Sequence, residues 1–346
     1  MTERKDIKSL TAEELGEDLA TLGLPSYRTN QIFGWLHQKN VTSFAEMLNI
    51  PQNIRQTLSE RYYIAVASIE KKQISCYDDT VKYLFRLSDG EMIESVLMHY
   101  HHGYTICIST QVGCRMGCTF CATGKGGFSR NLSPSEMLAQ IQTAQSDNNI
   151  RIANIVLMGM GEPLDNFDNV MKFLSLVSCE KGLNIGMRHI SLSTCGIVPK
   201  IYELADRKLQ ITLSVSLHAP NDTIRNRTMP VNRKYPVNEL IKACRYYAKT
   251  TKRRITFEYA MIDNVNDSDE CAYELVRLVK GMLCHCNLIP VNNVTETHYR
   301  RSQKKRLLQF AEILEKNGVP ATVRRTLGSD IDASCGQLSG KHHAEQ

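Results

Sequence analysis

The chain has 346 residues, of which 42% are hydrophobic and 23% charged, and its formal net charge is +6. This composition is typical of a globular protein with one large domain and accessory segments. No stretch resembles a transmembrane span or a signal peptide, so we expect no membrane association. Twelve cysteines without an export signal argue against a disulfide framework and favour metal or redox chemistry in the cytoplasm.

Residues 1–60 are predicted to form a helical accessory domain. Thr11 to Glu14 and Ser43 to Glu46 both have the spacing of a capping box. Between them, one predicted helix has an apolar side and scattered polar points. The apolar side comprises Ile32, Phe33, Trp35 and Leu36, and the polar points are Arg28, His37 and Lys39. The pattern fits a packing unit, and it also fits an RNA-docking module, because aromatic and basic groups suit base stacking and backbone contacts.

Residues 61–103 change to short β-rich runs and are predicted to form a small β extension. Asp89-Gly90 is a strong hairpin signal between the last two strands. On the final strand Glu94 alternates with Val96 and Met98, so the three should share one face. A carboxylate on an apolar face is a candidate general base. A glutamate that faces solvent remains the alternative.

From residue 104 onward, strand-like and helix-like segments alternate. The strand-like runs are 104–110, 153–159, 188–194, 210–217, 255–262 and 284–290. The helix-like stretches are 133–146, 167–177, 199–205, 237–250, 267–281 and 302–317. Alternation of this kind predicts a parallel sheet. Six units are too few for a closed eight-fold barrel, so we expect an α/β fold with a partial (β/α)6 TIM-like barrel over 104–296, followed by a C-terminal helix and loop over 297–346.

The most informative stretch, Gln111 to Arg130, follows the first of these strands. It contains Cys114, Cys118 and Cys121 in a C-x3-C-x2-C pattern. A closed zinc site or a fully protein-ligated iron–sulfur cubane takes four ligands, so three cysteines leave one iron of a cubane open to another molecule. The alternatives are buried structural cysteines or a zinc knuckle completed by a distant residue.

Further unusual residues follow the other predicted strands. A barrel places its chemistry at the carboxyl ends of its strands, so these residues should lie together beside the three cysteines. They are the Met158-Gly-Met-Gly-Glu-Pro163 turn, Ser193 and Thr194, the Ser216-Leu217-His218 trio, and Pro290-Val-Asn292. Together they predict one site for a zwitterionic, ribose-bearing ligand.

The cysteine triplet resembles the signature of the radical S-adenosylmethionine (SAM) superfamily. Together with GMGEP, the LST and SLHAP strand ends and the near-terminal CGQL, it makes the chain similar to the RlmN/Cfr family of radical SAM methyltransferases of ribosomal RNA adenosine. The resemblance implies a 4Fe-4S cluster on Cys114, Cys118 and Cys121. It implies that SAM is bound by Gly161, Glu162, Ser193, Ser216, Leu217, His218 and Asn292.

The resemblance also implies three reacting side chains. Cys335 takes a methyl group from one SAM, and a radical generated from a second SAM removes hydrogen from that methyl, so that its carbon can join the adenine ring. Glu94 accepts the ring proton. Cys107 attacks the sulfur of Cys335 and leaves a disulfide. The implied substrates are 23S rRNA at the peptidyl-transferase centre and tRNA at the adenosine next to the anticodon, and the electron donor is a flavodoxin or ferredoxin system. We expect a monomer.

One branch of this family methylates adenine carbon 2, and a Cfr-like branch methylates carbon 8 and confers antibiotic resistance. Pro163, after Gly-Glu, favours carbon 2, whereas Asn293 departs from an expected proline after Asn292.

Two other classes of protein remain open: a cluster-containing RNA-binding protein without methylation activity, and a radical SAM activase that has no RNA partner. Basic residues that could contact RNA phosphates cluster at 249–254, at 300–306 and at Arg324 and Arg325.

Overall fold

The computed structural model describes residues 4–292 and 299–340. The chain opens with a helical unit tied together by two short parallel strands. Its elements are β1 (Lys5–Asp6), α1 (Ala12–Ala20), α2 (Ser26–His37), α3 (Gln52–Arg61) and β2 (Tyr62–Tyr63). Both predicted capping boxes are present, at Thr11 before α1 and at Ser43 before a 3-10 turn.

One residue of α2 differs from the sequence-based prediction. His37 was expected as a polar point on the helix surface, but it is 1% exposed and its ring lies 4.1 Å, centre to centre, from that of Phe33. The prediction was wrong because His37 stands four residues after Phe33, so the two side chains share the buried face of the helix.

Three antiparallel strands follow: β3 (Ser68–Ile74), β4 (Val81–Arg86) and β5 (Met92–Tyr100). The predicted hairpin is confirmed between β4 and β5, where Gly90 has the positive φ of +88° that the tight turn needs. Strand β5 then pairs antiparallel with β6 (Gly103–Cys107), the first strand of the barrel. The β extension therefore continues the barrel sheet directly.

The remaining chain alternates strands and helices as predicted. The elements are β7 (Gln111–Gly113), α4 (Ala122–Lys125), β8 (Phe128–Asn131), α5 (Pro134–Asn148), β9 (Ile152–Leu157), α6 (Phe167–Ser178), β10 (Ile190–Thr194), α7 (Val198–Asp206), β11 (Thr212–Ser216), α8 (Asp222–Thr228), α9 (Val237–Thr251), β12 (Ile255–Met261), α10 (Asp269–Val279), β13 (Cys284–Pro290), α11 (Lys304–Lys316) and β14 (Ala321–Val323).

One ten-stranded sheet has the order β14-β13-β12-β11-β10-β9-β6-β5-β4-β3. Strands β6 and β9 to β14 run parallel and follow the chain order without a reversal, which is the topology of a barrel rather than a doubly wound sheet. The predicted α/β partial barrel is confirmed. Sequence reasoning missed β14, α8 and the β7–β8 pair because each is too short to show a clear hydrophobic period.

One face of the barrel strands is fully buried. Leu192, Val215 and Phe257 share this face and are fully buried, as expected where crossover helices cover a parallel sheet. Ser193 and Ser216, on the opposite face, are only partly buried. No helix among residues 4–292 and 299–340 is long and apolar enough to cross a bilayer.

Candidate active site

The three-cysteine loop leaves the main sheet, and its two ends are held together. Its two ends pair as β7 and β8, and the Cys114 amide donates a 2.6 Å hydrogen bond to the carbonyl of Gly127. Gly113 has a φ of +74°, and a side chain there would collide with the Gly127 backbone. Glycine is therefore required for the loop to close this tightly before its first cysteine.

Cys114, Cys118 and Cys121 line one cavity of about 980 Å³ that opens to solvent. Its other walls come from the carboxyl ends of the barrel strands, as the sequence predicted. They include Gly161, Glu162, Ser193, Ser216, His218, Asn292 and Cys335. Of the predicted SAM-binding residues only Leu217 is absent from this lining, because its side chain is fully buried in the core.

The cysteine arrangement fits a cluster held by three thiolates. Burial raises the pKa of the Cys114 thiol to about 12 and raises that of Cys118 as well, so both stay protonated until a metal displaces the proton. Within residues 4–292 and 299–340, no three His, Cys, Asp or Glu side chains converge on a point suited to one ion. A cubane does not need such convergence, because each thiolate binds a different iron.

The Gly161-Glu162 turn is locked against the loop that leads to the cysteines. The side-chain oxygen of Gln111 accepts a 2.9 Å hydrogen bond from the Glu162 amide. The Glu162 carboxylate accepts hydrogen bonds from the amides of Leu164 and Cys195, at 3.0 and 2.7 Å. Burial raises the pKa of this carboxyl group. Glu162 thus ties the turn after β9 to the end of β10, and its neighbour Gly161 is fixed at the cavity wall.

His218 lines the same cavity and is in its neutral form. Its Nδ1 accepts a 2.9 Å hydrogen bond from the amide of Ala260, and burial lowers its pKa to about 3. The tautomer is therefore fixed with a proton on Nε2, which is available as a donor. Phe120, next to the third cysteine, packs edge-on against this ring at 5.0 Å.

Sequence reasoning missed Arg225, which fastens the strand ends around the cavity. This side chain is fully buried. Its guanidinium donates to the carbonyls of Cys195, Ser216 and Leu217, at 2.6, 3.1 and 3.0 Å. It also donates to the Asn232 side chain at 3.0 Å. The described part of the chain shows no direct ion pair for Arg225. Its positive charge lowers the pKa of Cys118, against the larger effect of burial, which raises it.

Cys335 borders a second, smaller cavity of about 560 Å³ as well as the first. Cys107 lies in the wall of this second cavity, and Met158, Asn292 and Arg324 line both. The two cysteines expected to react with each other thus face one space. Both are free thiols, and burial raises the pKa of Cys107 to about 12.

Arg324 belongs to this cavity, whereas the sequence suggested a phosphate contact. The Cys335 sulfur, followed by the Glu258 carboxylate, raises the pKa of its guanidinium. The sequence gives no signal for this role, because Arg324 stands in a basic pair whose second member, Arg325, is exposed.

The other basic clusters fall at opposite ends of the barrel. Residues 249–254 precede β12 and lie at the amino edge of the sheet, away from the cysteines. Residues 300–306 follow β13 and lie near the carboxyl edge, where Arg300, Arg301 and Lys304 are exposed. Asn293, the departure noted in the sequence, lies outside the described residues.

Glu94 is buried, at 2% exposure, so it does not face solvent. It lines neither cavity, although Val96 and Met98 from the same face of β5 line the one that contains Cys107. Its Oε2 accepts hydrogen bonds from the amides of Ser339 and Gly340, at 2.5 and 3.0 Å. Glu94 is therefore attached to the chain segment that carries Cys335.

We call this segment, residues 332–340, the carrier segment. It also contacts the cysteine loop directly. The Ala122 amide donates to the carbonyl of Gly336 at 2.8 Å, and the Thr123 hydroxyl donates to the carbonyl of Leu338 at 2.5 Å. Asn292 donates its side-chain amide to the carbonyl of Cys335 at 3.1 Å. The carrier segment thus bridges the cysteine loop and the β extension.

Comparison with known proteins identifies the family. Residues 108–276 match the model of the radical SAM superfamily, and residues 5–64 match that of the ribosomal RNA large subunit methyltransferase N-terminal domain. Two curated relatives, each named a probable dual-specificity RNA methyltransferase RlmN, come from Thermoanaerobacter pseudethanolicus and Alkaliphilus oremlandii. They are 52% and 55% identical to this chain, over 99% and 98% of its length and 99% of theirs. The chain belongs to the RlmN family of radical SAM RNA methyltransferases.

A solved structure supports the same assignment. The crystal structure of a radical SAM methyltransferase from Sphaerobacter thermophilus is 44% identical and superposes with a TM-score of 0.93 over 97% of this chain and all of that one. As a radical SAM enzyme, this RlmN-family protein uses a 4Fe-4S cluster and SAM.

Proposed function

We propose that this enzyme methylates carbon 2 of an adenosine in 23S rRNA, at the peptidyl-transferase centre, and of the adenosine next to the anticodon in some tRNAs. The dual-specificity name of its relatives supports two RNA classes. The observation that carries the proposal is the placement of Cys107 and Cys335 on one cavity that adjoins the three-cysteine cavity. A methyl group bound to Cys335 would lie between the radical source and the resolving thiol.

Cys114, Cys118 and Cys121 would hold the cluster. Gly161, Glu162, Ser193, Ser216, Leu217, His218 and Asn292 would form the SAM site. When bound, cluster and SAM together supply the radical that activates a methyl group. Ser193 and Ser216 present neighbouring hydroxyls 3.5 Å apart, and the neutral His218 offers its Nε2 proton as a donor. Leu217 would contribute its backbone alone, since its side chain is fully buried in the core; Arg225 fixes that backbone through the Leu217 carbonyl.

The three reacting side chains divide the work. Cys335 accepts the methyl group on its sulfur as the thiolate, which is the nucleophilic form, and Arg324 lies close enough for this sulfur to raise the pKa of its guanidinium. Glu94 takes the ring proton. Cys107 attacks the Cys335 sulfur, which releases the methylated base and leaves a disulfide. The raised pKa of Cys107 keeps it a thiol until that stage.

Anaerobic purification of the Cys107→Ala variant tests this proposal. Without a resolving thiol, RNA should remain covalently attached to Cys335, and mass spectrometry of a nuclease and protease digest should find the adduct. Cys76→Ala is the control, because Cys76 is exposed on the β extension. Cys107→Ala protein without attached nucleotide would contradict the proposed roles of both cysteines.

Pro163 supports carbon 2 over carbon 8, by the family resemblance. Nucleoside mass spectrometry of RNA from cells that depend on this enzyme should show 2-methyladenosine. A Cfr-like carbon-8 product would overturn the assignment. If Cys335→Ala left both RNA binding and cellular methylation unchanged, the result would point to a cluster protein without methyl transfer.

The remaining assignments extend the same proposal. Residues 1–60 would dock RNA, 61–103 carry the base, 104–296 form the barrel, and 297–346 carry the methyl-accepting cysteine, with the 296/297 boundary outside the described residues. A flavodoxin or ferredoxin system would supply electrons to the monomeric enzyme. Its twelve free thiols suit a reducing compartment, which supports a cytoplasmic location without membrane attachment.

A further inference from the structure

A buried ion pair joins two strands of the β extension. The Nζ of Lys82 on β4 lies 2.8 Å from Oε1 of Glu94 on β5, and the two residues are 4% and 2% exposed. The register pairs Leu84 with Glu94, so Lys82, two residues away on β4, projects from the same face. Buried lysines occur almost only when they are paired, which makes Lys82 a specific partner for this carboxylate.

Both members of the pair also hold the carrier segment. Lys82 donates a 3.2 Å hydrogen bond from Nζ to the carbonyl of Asp332. Oε2 of Glu94 accepts hydrogen bonds from the amides of Ser339 and Gly340. These contacts flank Cys335 on both sides, so one ion pair fixes the beginning and the end of the segment that carries the methyl group.

These contacts are stronger than the others that hold the segment. Each involves a charged donor or acceptor, and hydrogen bonds to charged groups are roughly twice as strong as neutral ones. The remaining contacts of Cys335, Gly336 and Leu338 pair neutral groups. The charge on Glu94 therefore makes a large contribution to the position of Cys335.

We propose that Lys82 is a positioning residue for Glu94, and that the Lys82–Glu94 pair is a latch that loosens the carrier segment when Glu94 takes its proton. The inference rests on the proposed role of Glu94 as the base. The proton passes from the ring carbon to a carboxylate oxygen, and the electron pair of the broken C–H bond stays on the ring. The neutral acid no longer attracts Lys82 and accepts the Ser339 and Gly340 amides less strongly. Cys335 then becomes free to approach Cys107.

Amide hydrogen exchange of the carrier segment tests the latch without measuring catalysis. In the anaerobically reconstituted enzyme, Glu94→Gln imitates the neutral acid with little change in shape, and Lys82→Met removes the ammonium. Each should speed exchange across residues 332–340 by about tenfold or more, because at least one charge-assisted hydrogen bond is lost. Lys82→Arg should stay closer to the wild type, since it keeps the charge.

Lys72→Met is the matched control, since Lys72 lies on β3 and forms a partly exposed ion pair with Asp147. Its exchange in residues 332–340 should equal that of the wild type. As a second readout, the oxidant diamide should form the Cys107–Cys335 disulfide faster in Glu94→Gln than in Lys72→Met.

If residues 332–340 exchanged as slowly in Glu94→Gln as in the wild type, the latch would be overturned. Circular dichroism checks that each variant folds, and if Lys82→Met does not fold, the result for Glu94→Gln alone decides. A failure of the proposed function would give a different result. The wild-type enzyme would then leave RNA unmethylated, while amide hydrogen exchange in residues 332–340 would still be faster in the variants than in the wild type.

Discussion

Gly161→Ala should destabilise the enzyme and abolish SAM binding, because two separate constraints act on this residue. Its φ of +100° disfavours any side chain, at a cost of about 1–2 kcal/mol. A Cβ would also lie 2.6 Å from Cβ and 2.8 Å from the amide nitrogen of Gln111. Gln111 cannot move away, because its side chain is held by Asn131, Asp165 and the Glu162 amide. This overlap adds about 1–3 kcal/mol.

Urea unfolding of the metal-free protein measures the total, which should be about 2–5 kcal/mol in the free energy of unfolding. Gly90→Ala is the control, since Gly90 has a φ of +88° and a Cβ added there would meet no atom within 4 Å, so it reports the backbone strain alone. Calorimetry of the reconstituted protein should then show SAM binding lost in Gly161→Ala and retained in Gly90→Ala. Equal destabilisation by the two substitutions would refute the close approach to Gln111 as a constraint.

Three further predictions concern buried or partly buried basic side chains. Burial lowers the pKa of His37 from 6.5 to about 3, so the unfolded chain binds more protons between these values and stability falls as pH falls through that window. Unfolding of His37→Phe at pH 7.5 and pH 5 should show about 2 kcal/mol less acid destabilisation than the wild type. Arg225→Met should lower the free energy of unfolding by about 3 kcal/mol or more, because three buried carbonyls lose their donor; a melting temperature equal to that of the wild type would contradict this. Arg324→Met should slow alkylation of Cys335 by iodoacetamide, measured by peptide mass spectrometry, whereas the exposed Arg325→Met should not.

The sequence predicted the barrel well because its signals are local. Alternating apolar runs, the capping boxes and the Asp89-Gly90 turn are each contained in a few residues. The position of most site residues followed from one topological rule, that parallel strands place their carboxyl ends at one edge. These predictions needed no knowledge of how distant segments pack.

What the sequence did not show depends on contacts between distant residues. In the sequence, Lys82 is an ordinary strand lysine; in the structure it contacts Glu94 and Asp332, the latter 250 positions away. In the sequence, Arg324 is part of a basic pair; in the structure it lies beside Cys335. Neither partner can be inferred from spacing, because no local period links them.

The attachment of the carrier segment has a consequence for the order of assembly on the ribosome. Glu94 meets Ser339 across 245 positions of sequence, so this contact forms only when almost the whole chain has been synthesised. Chains fold from the amino terminus as they emerge, at about 5–20 residues per second. The cysteine loop and the strands that surround it are therefore synthesised before the carrier segment that contacts them. The methyl-accepting cysteine takes its place only after the cavity walls made by β9 to β13 have been synthesised.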